Sequence, residues 1–171
     1  MSVTTHERPG VYSEYDASSV VQGRQGRKMV AGVPQTVTSY ESALIAFGST
    51  GGQDMTELIR LALKNGAAGV VAVPVADEEG YEAAFAALAA MDDIGVVICD
   101  SVDREVQQSR RDSAAAASAA RRERIAVAAG GAGETVTELL ERAKALNSER
   151  VVLVAPGGTD EEGEAVSGLS L

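Results

Sequence analysis

The sequence predicts an α/β protein: a three-layer, doubly wound, mostly parallel sheet of at least four strands with flanking helices, preceded by an extended N-terminal arm. Two observations support this fold class. Four short runs are continuously apolar, as expected of strands covered on both faces; they are residues 69–75, 94–99, 125–129 and 151–155. One helical stretch separates each run from the next, which is the βαβ order of a parallel sheet.

The first part of the chain differs from the rest. Residues 1–27 are polar and rich in Ser, Gly and Gln, and residues 9–16 show weak strand alternation. Such a segment has too little apolar surface to fold alone, so it must pair with a sheet edge or stay mobile. We assign residues 1–27 to an extended arm and residues 28–171 to the α/β domain.

The first elements after the arm are a strand and a short helix. Residues 28–33 are predicted to form a strand that ends at Pro34. A helix is predicted over residues 40–47, with Ser39 as its N-cap and Gly48 just past its end.

Four more helices are predicted, one before the first central strand and one between each central strand and the next. Asp54 and Glu57 have the spacing of a capping box for one, and Thr135 and Glu138 for another. The longest helix, residues 103–121, is rich in Ala and is expected to pack closely by its alanines. The apolar stripe predicted for the last helix consists of Leu139, Leu140, Ala143 and Leu146.

Composition excludes several classes of partner. The net charge of −10 argues against nucleic acid and against an anionic membrane surface. No apolar stretch approaches the roughly 18 residues that a membrane span needs. A single Cys excludes an internal disulfide. The one basic cluster, residues 121–124, is predicted to be a solvated helix end that complements the helix dipole.

Ligands of open parallel sheets bind beyond the carboxyl ends of the strands. The Gly130-Gly-Ala-Gly133 loop lies there, but it lacks the third Gly of a dinucleotide fingerprint, and Glu134 would repel a phosphate. Four carboxylates suggest a Mg²⁺ or acid–base site, but each also stands where a helix cap is expected; they are Asp77, Asp100, Asp103 and Asp160.

Cys99 is a conceivable nucleophile at a strand end. Its one possible histidine partner is His6, in the arm, so we expect a buried, inert thiol. We therefore predict no catalytic residue, no metal site and no cofactor.

Glu7-Arg-Pro-Gly-Val-Tyr-Ser-Glu-Tyr-Asp16 resembles the opening of contractile tail sheath proteins, which form the outer tube of contractile phage tails and related injection particles. Further segments resemble the same family in the same order along the chain; they are residues 37–48, 58–74, 121–124 and 143–157. The resemblance covers the N-terminal and α/β part of the family.

The resemblance implies a structural, non-enzymatic subunit of a virion tail, assembled in the host cytoplasm. Its partners would be neighbouring sheath subunits, joined by strand exchange, and the inner tail-tube protein. The family continues beyond residue 171 into a C-terminal domain, so we expect a fragment that is monomeric by itself. The assembly arm implied by the family consists of Pro9, Gly10, Val11, Tyr12, Ser13, Glu14 and Tyr15.

Two other functions remain open at this stage. One is a flavodoxin-like domain that binds a small molecule or nucleotide, or acts on it, through Asp100, Ser101 and the loop of residues 130–133. The other is an adaptor that docks through residues 121–124.

Overall fold

The computed structural model describes residues 16–22, 31–48, 54–159 and 165–166. Within these residues the chain forms five helices and eight strands. In chain order they are β1 (Asp16–Gln22), β2 (Gln35–Val37), α1 (Tyr40–Phe47), α2 (Met55–Lys64), β3 (Val70–Val75), α3 (Gly80–Ala89), β4 (Ile94–Cys99), α4 (Arg104–Ala119), β5 (Ile125–Ala129), α5 (Val136–Leu146), β6 (Val151–Val154), β7 (Gly158–Thr159) and β8 (Ala165–Val166).

Six strands form one sheet in the order β2-β3-β1-β4-β5-β6, and β7 pairs with β8 in a separate antiparallel hairpin. Strands β3, β1, β4, β5 and β6 are mutually parallel, whereas β2 is antiparallel to β3 at one edge. Taken in chain order, the parallel strands follow the pattern 2-1-3-4-5, which reverses direction between β1 and β4. The predicted α/β class is confirmed.

Strand β3 divides the core into two clusters, because successive side chains of a strand point to opposite faces. Val70 and Ala72 pack with residues of α1 and α2, whereas Val71, Val73 and Val75 pack with residues of α3, β4 and α4. All six residues of β3 are buried. Helices therefore cover β3 on both faces, which explains its uninterrupted apolar sequence.

The four central strands lie where the sequence predicts them, but the strand predicted over residues 28–33 is wrong in its described part. Residues 31–33 form a turn and a short irregular stretch, in which the amide of Gly32 donates to the Pro74 carbonyl at 2.8 Å. Gly32 has φ 77°, a left-handed conformation that ends regular strand geometry. The strand instead forms beyond Pro34, as β2, where it pairs with the edge of β3.

Strand β1 was not predicted, although it lies between β3 and β4. It falls within the range assigned to the arm, and its sequence, Asp-Ala-Ser-Ser-Val-Val-Gln, lacks a continuous apolar run. Its place comes from backbone pairing with two neighbours at once, which its own composition does not reveal. Residues 9–15 lie outside the described residues, so their assignment as an assembly arm stays a prediction.

The predicted caps are largely confirmed. Ser39 forms a capping box with Ser42 at α1, and Thr135 forms the predicted box with Glu138 at α5. Asp54 accepts from the Glu57 amide as predicted. The Glu57 carboxylate itself is bound by the Arg60 guanidinium, with Nε to Oε2 at 2.7 Å, one turn further along α2.

Helix α5 is less buried than its sequence predicts. Leu146 is buried and Leu139 is half-buried, but Leu140 is 56% exposed and Ala143 is also exposed. The prediction of four inward residues is therefore wrong for two of them. The reason is the position of α5, which packs against α4 beside the edge strand β6 and has a neighbour on one side only among the described helices.

Candidate functional site

The carboxyl edge of the sheet is the candidate ligand site of this fold, because the strand order reverses there between β1 and β4. The described part of this edge comprises the ends of β1 and of β3 to β6 and the loops that follow β3 to β6; the residues that follow β1 lie outside the described part of the chain. The residues that the sequence predicts for a site lie on these loops, but their side chains are engaged with the protein itself.

Two of the carboxylates stabilise helix starts. Asp103 is the N-cap of α4, and its Oδ1 accepts from the amides of Glu105 at 2.8 Å and Val106 at 3.0 Å. Asp77 Oδ1 accepts from the amide of Gly80, the first residue of α3, at 3.1 Å. These bonds satisfy amides that a helix leaves unpaired at its N-terminus, so capping accounts for both side chains.

Asp100 is not a helix cap, which corrects the prediction for this residue. Its Oδ1 accepts from the Tyr81 hydroxyl at 2.6 Å and so joins the end of β4 to the start of α3. Asp160 lies outside the described residues. Among the residues that are described, no group of three His, Cys, Asp or Glu side chains is arranged to hold a metal ion.

The glycine-rich loop between β5 and α5 is filled by Glu134. The Gly131 amide donates to Glu134 Oε2 at 2.9 Å, where a bound phosphate would need a free donor. A Cβ at Gly130 would collide with Leu139 and come within 3.1 Å of Glu134 Oε2, so glycine is needed for this close approach. The position of the Glu134 carboxylate in this loop agrees with the prediction that it would repel a phosphate there.

Arg142 fixes the Glu134 carboxylate in place. Its guanidinium pairs with Glu134, with Nε 3.2 Å from Oε2 and a second, shorter contact through the terminal nitrogen. Hydrogen bonding from Arg142 is the main reason that the pKa of Glu134 is lowered from its usual value. The other terminal nitrogen of Arg142 donates to the Val102 carbonyl at 2.7 Å and to Gln107 Oε1 at 2.9 Å.

Gln107 extends this polar network across the sheet edge. Its Nε2 donates to the Ala129 carbonyl at 2.9 Å and to the Ser101 carbonyl at 3.2 Å. The loop after β4, the end of β5 and helices α4 and α5 are thus joined by one set of buried hydrogen bonds. A ligand at these loops would have to displace bonds that the protein already makes.

Arg110 is buried beside this network, and some of its donor nitrogens have no described partner. It is 1% exposed, and one terminal nitrogen lies 3.5 Å from the Cys99 carbonyl, at the limit of a hydrogen bond. Its Nε and its other terminal nitrogen have no hydrogen-bond partner among the described residues. Burial lowers the pKa of Arg110.

Cys99 is fully buried at the end of β4. Burial raises the pKa of its thiol, which keeps sulfur protonated and unreactive, in agreement with the predicted inert cysteine.

The inner face of α4 is more polar than we predicted. Ala114 and Ala117 are buried as expected, but Gln107 and Arg110 are buried with them. All four lie on one helical stripe, at spacings of three, four and three residues, and this periodicity was the signal that could have identified the two polar residues. We missed it because long polar side chains at such positions are usually exposed.

The basic cluster of residues 121–124 is only in part the solvated end that we predicted, because Arg121 and Glu123 are exposed but Arg124 is buried. Arg124 is 2% exposed and donates to the carbonyls of Leu88 at 3.0 Å and Met91 at 2.9 Å. Arg122 donates to the Ala89 carbonyl at 2.6 Å. Both arginines therefore satisfy carbonyls at the C-terminus of α3 rather than complementing their own helix, and the buried Arg124 cannot form part of an adaptor surface.

Within the described residues, none of the helices has the length and apolar character needed to cross a bilayer.

The geometry defines an α/β protein whose described carboxyl edge is closed by its own side chains. No protein-family model and no curated protein matches the chain. Several solved structures are similar in fold, including the following three. The helical sheath of the anti-feeding prophage in its contracted state has a TM-score of 0.65 at 15% identity, over 99% of this chain and 49% of that one.

The second is the contracted sheath complex, PVC, of an extracellular contractile injection system, with a TM-score of 0.63 at 15% identity, over 98% of this chain and 49% of that one. The third is a chain of the anti-feeding prophage baseplate, with a TM-score of 0.59 at 16% identity, over 97% of this chain and 51% of that one. The chain thus shares the fold of contractile injection system sheath proteins, which confirms the predicted resemblance at the level of fold. It spans about half the length of each chain it matches.

Proposed function

We propose that the chain is the α/β part of a sheath subunit of a contractile injection system, non-enzymatic and active through assembly. The observation that carries the proposal is the fold similarity, which extends over 98–99% of this chain in two contracted sheath structures. A likeness over nearly the full chain is stronger support than a shared βαβ unit, because it extends over the whole domain.

The carboxyl edge supports a structural role for the domain. Where an enzyme of this topology would keep donors available for a ligand, the Gly131 amide is bound by Glu134, and Arg142 and Gln107 bind neighbouring carbonyls. Such buried bonds between loops and helices resist shear between the elements. A rigid body of this kind suits a subunit that transmits force.

In this proposal the subunit stacks with other sheath subunits around an inner tail tube, in a phage tail or related particle assembled in the host cytoplasm. Residues 9–15 would add a strand to a neighbouring subunit's sheet, the mode of recognition known as β-strand addition. The part that receives such arms would belong to the other half of the longer chains.

Electron microscopy tests the proposal. The open reading frame that contains this chain is expressed with and without residues 9–15, alone and with its tube protein. We expect helical tubes or rings from the intact product and none from the deletion variant, while circular dichroism shows the same fold for both. Absence of any tube or ring from the intact product under both conditions would refute the sheath role.

The 171-residue chain by itself is expected to be a monomer, because it spans half of the matched sheath chains. Light scattering coupled to size-exclusion chromatography measures this directly. A tight oligomer would contradict the expectation that assembly needs the other half.

One observation favours a second candidate function, binding of a small anion at the end of β4. Arg110 is a buried cation, near the point where the strand order reverses, with two donor nitrogens that have no partner among the described residues. Thermal-shift measurements with phosphate, nucleotides and flavins test it. A saturable shift that Arg110→Gln abolishes would favour this function, whereas no shift with any of these ligands would exclude it for those classes.

A further inference from the structure

One face of the sheet carries six aliphatic side chains that belong to neither core cluster. Val97 and Cys99 of β4 face α3 and α4, so the residues alternating with them face the other way. Strand pairing then places the matching residues of β5 and β6 on that same side. We call this surface the open face; it consists of Val96, Ile98, Ile125, Val127, Val152 and Val154.

The open face is incompletely covered. Val152 is 50% exposed and Ile125 is 42% exposed, and the other four side chains are partly exposed. On this side of the sheet, α1 and α2 pack against β1, β2 and β3, and no described helix packs against β4 to β6. Parallel sheets are normally covered on both faces, so a segment that covers this aliphatic surface is expected.

The small area of the open face favours cover by a segment of the same chain over cover by a separate protein. Three strands about 4.8 Å apart and five residues long present roughly 200 Å². A stable complex between separate proteins buries about 800 Å² on each partner. A segment of the same chain needs far less area, because its effective concentration is in the millimolar range.

Residues 1–15 are the segment best placed to cover the open face. They enter the sheet at Asp16, and Ala17 pairs directly with Val96 of the open face. Fifteen extended residues reach about 50 Å, against the roughly 10 Å from β4 to β6. Residues 23–30 must instead join Gln22 to Gly32, which is bonded to Pro74 on the far side of β1. Each other undescribed stretch has five residues.

The sequence of this segment fits the surface. In extended backbone, Val11, Ser13 and Tyr15 lie on one side, with Tyr12 and Glu14 on the other. Val11 and Tyr15 would then be about 13 Å apart, which is enough to span the roughly 10 Å from β4 to β6. We propose that in the isolated molecule residues 11–15 lie across the open face of their own chain, with the side of Val11 and Tyr15 against it.

The inference concerns the isolated chain and does not depend on the sheath role. If a neighbouring subunit also uses residues 9–15, the open face competes with it for the same segment. The arm then stays bound to its own chain until a neighbouring subunit binds it more tightly.

Disulfide trapping tests the proposal, and the chain suits it because its one native cysteine, Cys99, is fully buried. Ser13→Cys is combined with Val152→Cys. One control pairs Glu14→Cys with Val152→Cys, and another pairs Ser13→Cys with Ala116→Cys, an exposed position on α4 across the sheet. Under mild oxidation we expect the first pair to form an intramolecular disulfide about tenfold faster than either control, as its local concentration implies.

Non-reducing electrophoresis and peptide mass spectrometry identify the product. Equal rates for all three pairs would overturn the proposal. A dimer linked through Ser13→Cys and Val152→Cys would also overturn it, since the occupant would be a second copy. Faster trapping of Val152→Cys by Leu169→Cys would assign the face to residues 167–171 instead.

A measurement without oxidation complements the trapping. The intact chain and a variant lacking residues 1–15 are compared for binding of the apolar dye anilinonaphthalene sulfonate. We expect stronger binding by the shortened chain, which Val152→Glu reduces. Equal dye binding by both chains would contradict cover by residues 1–15.

Discussion

Replacing Glu134 by glutamine tests whether the polar network at the carboxyl edge stabilises the fold. Glutamine keeps the shape of the side chain and an oxygen that accepts from the Gly131 amide, but it removes the charge that pairs with Arg142. The Arg142 side chain is 5% exposed and that of Glu134 is 17% exposed, so water screens the pair weakly.

The expected loss in the free energy of unfolding depends on which hydrogen bonds of Arg142 remain in the variant. Breaking a buried ion pair from one side costs about 3–5 kcal/mol. Arg142 retains its bonds to Val102 and Gln107, and Glu134 is partly exposed. We therefore expect a loss of about 2–3 kcal/mol in the free energy of unfolding, or about 4–12 °C in Tm for a domain of this size.

The effect depends on pH with a defined sign. The pKa of Glu134 is lowered in the folded chain, mainly by the hydrogen bond from Arg142. Its contribution is therefore complete above its unfolded pKa, about 4.3, and is lost as pH falls through the lower folded value. The difference in stability between the native chain and Glu134→Gln should be constant near neutral pH and shrink below about pH 4.

Urea and thermal unfolding followed by circular dichroism at pH 7 and at pH 3.5–4 measure both quantities. Glu141→Gln is the matched control, since its side chain is 60% exposed and lies 3.9 Å from Arg104; we expect a change within about 0.5 kcal/mol. The reasoning is refuted if Glu134→Gln behaves like this control at pH 7.

Three further predictions concern single positions. Gly130→Ala should cost about 1–2 kcal/mol because its Cβ collides with Leu139, whereas Gly131→Ala, with its nearest neighbour at 3.6 Å, should be nearly neutral in denaturant unfolding. Arg121→Gly should raise stability by about 0.5–1 kcal/mol, since Arg121 has φ 63° just past the end of α4; an unchanged or lower Tm would contradict this. The Cys99 thiol should react with a disulfide reagent only after unfolding, and rapid reaction of the native chain would show that it is accessible.

Local signals account for the parts of the fold that were predicted well. The continuous apolar runs marked β3 to β6, because a strand buried on both faces has no polar side to show. The caps at Ser39, Asp54 and Thr135 could also be predicted, since a capping side chain bonds to amides within three residues of itself.

The candidate site was predicted less completely. The sequence located the loops at the carboxyl edge and the role of Asp103 as a cap, but not the bonds that close this edge. Arg142 meets Gln107 across 35 positions and the Val102 carbonyl across 40. The pairing of residues so far apart cannot be predicted from local sequence, although the helical periodicity of α4 could have indicated that Gln107 and Arg110 are buried.

The sequence by itself determined the α/β class, the four central strands, the main helices and their caps, because these depend on periodicity and on hydrogen bonds within a few residues. The tertiary structure alone decided that β1 enters the middle of the sheet and that Arg110, Arg124 and Arg142 are buried. It also decided which half of one sheet face is covered by the described helices and which half is not. These features depend on contacts between residues far apart in the chain. There, hydrogen bonding and burial override the secondary structure and the exposure that each segment would favour by itself.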